Sequence, residues 1–341
     1  ADWAHASALN PFAGCCSTHE EEVFHSSMRV LRLCAALLAC LALWASGSFA
    51  LAPGARQDAT TAEAHQGPKW ELLVKAMDLV PIWKNFGLVI GDASGRLFSH
   101  FKGEAFNETS LIPIASSSKW FSAMTIMKLL EQGSLSLDVP VNRYIPYWSR
   151  DPADMRSRVT LRSLLSFTSG YTDTAYMKQK VLLRNDGSDK CTTFQECTQQ
   201  LYESTELSFE PRTRWDYNEI HLQFAGAAAE YASNRTMTDL LQELLDELDM
   251  KDSSYRNMQA PHLADGLVTT SNDYEKFMQA FFNSRIVSMD WVRQMECSEK
   301  PYPQVQDTDA SFSLAAFVGA YGFTEWCASC VLRYHAWMRR I

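Results

Sequence analysis

Positive charge is in short supply in this chain: 31 lysines and arginines stand against 40 aspartates and glutamates, giving a formal net charge of −9, and no basic run occurs. A surface that tracks phosphates needs Lys and Arg in excess on one face, so nucleic acid is excluded as a partner. Metal-ligand spacing is missing as well. Cys327-x-x-Cys330 has neither a second cysteine pair nor a His-x-x-x-His to complete it, so neither a zinc site nor a redox centre is expected there. Nor does a Gly-x-Ser-x-Gly occur, the strained elbow that presents the nucleophile of α/β-hydrolases. No metal and no cofactor is expected.

What is present is an ordinary globular composition. With 341 residues, 46% hydrophobic and 21% charged, the chain can build one large domain or two closely packed ones. Met28 opens a stretch with two arginines, an apolar run through Trp44 and a small-residue exit at Ser48 and Ala50, the pattern of a secretory signal peptide over 28–50. Ser46, Gly47 and Ser48 shorten the apolar part below the roughly 20 residues a membrane span wants. A secreted protein is therefore expected, with a signal-anchored membrane protein as the alternative. Residues 1–27 read as a leader or artefact upstream of the start, 51–69 as a linker, and 70–341 as the domain.

Of the nine cysteines, Cys191, Cys197, Cys297, Cys327 and Cys330 follow the signal segment. Thr193-x-x-Glu196 has the form of a capping box, which places Cys191 just outside a helix and Cys197 in its second turn. A disulfide between them suits an oxidising compartment. Asn107-Glu-Thr and Asn234-Arg-Thr are glycosylation sequons.

Trp70 to about Trp83 carries Leu72, Leu73, Ala76, Met77 and Val80 at helical spacing. The period then changes. Phe86 to Gly91, the turn Asp92-Ala-Ser-Gly95, and Arg96 to Phe101 read as a β-hairpin. A helix is expected to run on from the stretch Leu111 to Trp120 as far as Gln132, since Trp120, Phe121, Met124, Ile126, Met127, Leu129 and Leu130 form too wide an apolar arc for a surface helix. Gly133 stands where a left-handed C′ residue belongs.

At the start of this helix is Ser116-x-x-Lys119. Residues three apart share a helix face, with Cβ atoms about 5–6 Å apart, so the Lys119 amine can reach the Ser116 hydroxyl. A serine is a poor nucleophile until a neighbour takes its proton, and a lysine can do that when burial depresses its pKa. The helix start also supplies free N–H groups and the positive end of the macrodipole, where an oxyanion would be stabilised.

Downstream spacing makes the pattern specific. Thr109, Ser116, Lys119, Gly133, Leu135, Leu137, Asp138, Pro140, Val141, Tyr144, Pro146, Thr160, Leu164, Leu165, Thr168, Ser169 and Gly170 fall where the serine β-lactamase and penicillin-binding-protein superfamily has its residues, and the run closely resembles the class C branch with its related esterases and peptidases. Pro211-x-x-Arg214-Trp-Asp-Tyr217-Asn218, before a helix taken to end at Gly226, resembles the family's second signature. Asp239 to Met250 resembles the helix before its Leu-Gly-Met turn, with Asp249 in place of the Gly, and Ala264 to Phe277 resembles a further family segment. The similarity covers roughly residues 85–280.

The resemblance implies a mixed α/β (α+β) β-lactamase/transpeptidase-like fold. An antiparallel sheet from the 86–101 hairpin and strands near the C-terminus would flank a largely helical part over about 120–285. It implies a hydrolase that forms an acyl-enzyme on Ser116, with Lys119 and Tyr217 managing the proton, on a small-molecule or peptide ester, amide or β-lactam. Asn218 takes the substrate-orienting role, although the family's Tyr-x-Asn is here Tyr217-Asn218-Glu219. The third motif has its best counterpart in Phe317-Val-Gly319-Ala320, which keeps the glycine and lacks the cation; Gly319 and Ala320 would border the substrate, and the oxyanion would lie between the N–H groups of Ser116 and Ala320. The missing cation and the short sequence after Tyr321 motivate an alternative, a catalytically impaired binding or scaffold protein on the same fold. His221 is expected to cap or pack in its helix.

Overall fold

The structure, a computed structural model, describes residues 68–78, 85–172 and 191–296, which fall into two units divided between Trp83 and Lys84. The first unit is represented by helix α1 (Pro68–Asp78), with Glu71 in its first turn and Lys75 in its last, each at the end its charge favours. The expected continuation to Trp83 lies outside the described residues, as do the signal segment and the expected linker up to residue 67; Pro68 and Lys69, read as its last two residues, already belong to α1.

The second unit opens with the hairpin read from the sequence, β1 (Phe86–Asp92) and β2 (Gly95–Lys102), antiparallel with a bulge between Ile90 and Gly91. Its turn is closed by Asp92, whose Oδ1 accepts from the Ser94 N–H at 2.9 Å, and by Gly95 at φ +136°. A separate three-stranded sheet has the order β3-β5-β4, from β3 (Ile112–Pro113), β4 (Ser254–Tyr255) and β5 (Leu267–Thr269). The strands expected near the C-terminus fall outside the described residues, so the hairpin's other edge carries no observation.

Helix α2 (Ser118–Glu131) is buried on every side, from Ser118 to Met127 without a break. Trp120 meets Phe277 and Phe281 edge-on, at centroid separations of 5.1 and 4.9 Å. Its end follows the chemistry of Gly133: at φ +76° this residue donates to the Leu130 carbonyl at 3.0 Å, and Ser134 donates to Leu129 at 2.9 Å, a Schellman closure. Short α3 (Leu161–Leu165) starts at Thr160, whose side chain and that of Ser163 cap each other's backbone. Then come α4 (Phe194–Ser204), α5 (Ile220–Ser233), α6 (Met237–Glu247), α7 (Ser271–Phe282) and α8 (Met289–Glu296). Arg96 of β2 holds α7 through Asn272 at 2.7 Å and Glu275 at 2.8 Å.

Two local expectations are corrected. Gly226 does not end its helix: α5 runs on to Ser233 and closes at Asn234 in the left-handed region, φ +53°. Gly226 is instead a packing glycine, since a Cβ there would lie 2.4 Å from Leu263 and 2.8 Å from Phe194. Thr193 does cap α4, accepting from Glu196 N–H at 3.1 Å, but Glu196 turns to Thr192 N–H and hydroxyl, both at 2.8 Å, so the box is not reciprocal. Asp249, where the family resemblance implies a glycine, sits at φ +54°, a conformation that an Asp tolerates better than most side chains. Cys191 and Cys197 are joined by a disulfide.

Candidate active site

Three consecutive serines at the start of α2 have three different occupations. The Ser118 hydroxyl accepts from the Leu267 N–H at 3.0 Å, locking the helix start to β5. The Ser117 carbonyl accepts from the Tyr274 hydroxyl at 3.2 Å. Ser116 lies in the 3-10 turn Ala115–Ser117 just before α2, half-buried, with its side chain left for the site. The residue before it, Ala115, has φ +44°, an uncommon conformation for a non-glycine residue that shapes the backbone leading into Ser116. No sequence signal announces this strain.

Two groups converge on the Ser116 hydroxyl. Lys119 Nζ donates to it at 3.1 Å, and the Tyr217 hydroxyl, from a residue 101 positions further on, donates to it at 2.8 Å. The same ammonium donates to the Ala264 carbonyl at 3.1 Å and stands 4.9 Å from the centroid of the Tyr217 ring. Lys119 is only 2% exposed. Burial pushes its pKa down from 10.5 to about 8, against the opposing pull of the Glu219 and Asp265 carboxylates. The amine that the spacing placed beside Ser116 is thus desolvated, which the spacing alone could not say.

Tyr217 is held by its ring. Phe167 packs edge-on at 5.1 Å and Trp215 stacks at 6.2 Å. Asn218 is buried, its amide nitrogen donates to the Tyr171 carbonyl at 3.1 Å and to Asp216 Oδ1 at 2.9 Å, and its carbonyl oxygen accepts from the Ile220 N–H at 3.2 Å. Those bonds hold the amide at the start of α5. Glu219, two residues after Tyr217, is half-buried and within electrostatic reach of Lys119. The expected border residues Gly319 and Ala320 lie outside the described residues.

Of the sequon residues, Asn107 and Asn234 are both exposed, and Asn107 Oδ1 accepts from the Thr109 N–H at 2.9 Å and hydroxyl at 2.7 Å. No group of three or more His, Cys, Asp or Glu able to hold a metal occurs among the described residues.

A serine hydroxyl at a helix start, an amine one turn on and a phenol from a distant loop, in a mixed fold of small antiparallel sheets and many helices, define a class: the serine β-lactamase and penicillin-binding-protein superfamily. The Beta-lactamase family's sequence profile matches residues 87–326, and the chain belongs to that family. It is similar to Esterase EstB of Burkholderia gladioli, with 29% identity over 159 residues, which is 45% of this chain and 40% of the esterase. The chain thus spans less than half the length of this curated relative. Among solved structures, the octameric penicillin-binding protein homologue from Pyrococcus abyssi superposes with a TM-score of 0.54 at 19% identity, over 67% of this chain and 60% of that one. D-amino acid amidase from Ochrobactrum anthropi SV3 does so with a TM-score of 0.52 at 21% identity, over 65% and 73%. At these identities the likeness speaks for the fold. The family is one of serine hydrolases.

Proposed function

We propose that this chain is a serine hydrolase working through an acyl-enzyme on Ser116, with an ester, amide or β-lactam as substrate. The observation that carries the reading is the meeting of Lys119 Nζ and the Tyr217 hydroxyl on the one Ser116 oxygen, at 3.1 and 2.8 Å. In the first step Ser116 Oγ forms a bond to the acyl carbon while its proton passes to the Lys119 amine or to the Tyr217 oxygen in phenolate form; the bond from that carbon to the leaving oxygen or nitrogen breaks and that atom takes the proton, its group departing from an ester or amide and staying tethered to the acyl chain of an opened β-lactam. Water then attacks the ester on Ser116, releases the acid and restores the serine proton by the reverse relay. With a pKa of about 8 the free amine of Lys119 is present at pH 7 in roughly a tenth of molecules, enough for a base that recovers its proton state quickly.

The deciding experiment is covalent labelling with a fluorophosphonate and with a fluorescent penicillin. A mass increase that Ser116→Ala abolishes supports the hydrolase. No label at any pH would instead favour the binding or scaffold reading, which the missing third-motif cation in Phe317-Val-Gly319-Ala320 motivates. Turnover of short acyl esters, D-amino acid amides and nitrocefin then sorts the substrate class, the first two because similar proteins are named an esterase and an amidase.

The reading includes passage through the secretory pathway. The disulfide at Cys191 and Cys197 and the signal-like run 28–50 support it. Mapping the N-terminus of protein recovered from the medium of expressing cells should place it at Leu51, and a glycosidase should shift its mass if Asn107 or Asn234 is modified.

A further inference from the structure

We propose that His221 is a positioning residue for Tyr217, tying the loop that carries the phenol to the buried helix α5. The imidazole is fully buried one residue into α5 and bonds on both sides. Its Nε2 lies 2.9 Å from the Asp216 carbonyl oxygen and its Nδ1 lies 2.9 Å from the Ser169 hydroxyl. A carbonyl oxygen can only accept, so Nε2 carries the proton and donates it; Nδ1 is then the lone-pair nitrogen and accepts from Ser169. Asp216 is the residue directly before Tyr217, so this bond grips the loop at the peptide that leads into the phenol.

The same loop is tied twice more to the 167–170 turn. Asp216 N–H donates to the Phe167 carbonyl at 2.9 Å and Arg212 N–H donates to the Thr168 carbonyl at 2.7 Å. Phe167, at φ +59°, places its ring perpendicular to the imidazole at 5.3 Å and edge-on to Tyr217 at 5.1 Å. Imidazole, phenyl and phenol therefore form a continuous packed series from the interior of α5 to the hydroxyl on Ser116. An apolar residue at 221 could fill the space, but it would leave the Asp216 carbonyl and the Ser169 hydroxyl without these bonds. Burial, with a lesser contribution from the Lys119 charge, pushes the His221 pKa down to about 3 against the pull of the Asp216 bond, so the imidazole keeps one proton and one lone pair across the range in which an enzyme works.

The inference rests on Ser116, Lys119 and Tyr217 being the reacting groups, and its test uses side chains that keep one bond each. His221→Gln can present an N–H near the Nε2 position, His221→Asn an acceptor near Nδ1, and His221→Phe neither. With a short acyl ester, the Gln variant should stay within a few-fold of wild-type kcat, while the Asn and Phe variants lose about ten- to a hundredfold in kcat with KM little changed. In a Tyr217→Phe background, His221→Phe should cost less than about twofold, because the group it positions is gone. Equal losses in both backgrounds, or a Gln variant as impaired as Phe, would overturn the proposal. Amide hydrogen exchange over residues 211–218 needs no turnover: it should quicken in the Phe variant and stay slow in Gln, and unchanged exchange in Phe counts against the strap. Should His221→Phe fail to fold, the Gln and Asn variants carry the comparison. Wild-type protein without Ser116-dependent turnover would sink the hydrolase reading alone, and the exchange measurement would still decide the strap.

Discussion

Lys119 is a cation placed in the interior beside two carboxylates, and the balance between those effects sets when it can accept a proton. Desolvation is the larger, so its pKa falls to about 8, while Glu219 and Asp265 hold it from falling further. Acylation that needs the free amine should therefore rise with pH through about 8. A negative charge near an ammonium favours the charged form, so removing one lowers the pKa: Glu219→Gln should move the rising limb of the acylation profile to lower pH, read from the rate of burst labelling against pH. A limb that stays in place would mean that Lys119 is not the titrating base. Replacing the phenol tests the other partner. Tyr217→Phe should keep the ring packing on Phe167 and Trp215 yet lower kcat by about 10²- to 10⁴-fold, the range for losing a positioned proton-transfer group. At this scale the sequence was legible where the partners are near neighbours, as with Ser116 and Lys119. It was silent on the bonding of Asn218, because a motif position does not reveal which of an amide's hydrogen bonds are taken by its neighbours.

Elements carry the site by where they begin and how closely they pack. Asn218 acts at the start of α5, so Asn218→Ala should lower stability by about 1–2 kcal/mol in urea unfolding and leave KM almost unchanged. A rise in KM of tenfold or more would put Asn218 on the substrate. Gly170 is a tight joint: its φ is +101° and a Cβ would lie 2.3 Å from the Phe209 carbonyl oxygen. Because the obstacle is backbone, Gly170→Ala should destabilise by about 2–4 kcal/mol, measured as a drop in urea midpoint. The hairpin, the end of α2 at Gly133 and the cap of α4 at Thr193 were readable because each depends on residues within a turn of one another. Gly226 was misread because a glycine that ends a helix and one that lets a helix pack closely look alike until the neighbouring Leu263 and Phe194 are in place.

At the scale of the molecule, α2 and α5 form the interior against which the small sheet, α4, α6 and α7 are set. The Cys191–Cys197 bond staples the approach to α4 across a short loop. Reducing it should lower stability by about 2 kcal/mol by the chain-entropy relation for so small a ring, seen as a lower thermal midpoint in reductant that Cys191→Ser/Cys197→Ser protein does not show. The mixed α/β fold and family membership were legible through the family resemblance of the motifs between Thr109 and Gly170. The contact from the 211–217 loop to Ser116 was legible only through resemblance.

Taken alone, the sequence determined the features that chain-local chemistry controls: the turn at Asp92 to Gly95, the stop at Gly133, the amine one helical turn from Ser116. Tertiary structure supplied how completely Lys119 is stripped of water, the 2.8 Å reach of a phenol 101 residues on to the same oxygen, and the binding of Asn218 into the start of a helix. The reason is physical. Local structure follows from backbone conformation and neighbours within a few residues, whereas desolvation and long-range hydrogen bonds depend on which surfaces are pressed together, and no periodicity along the chain records that.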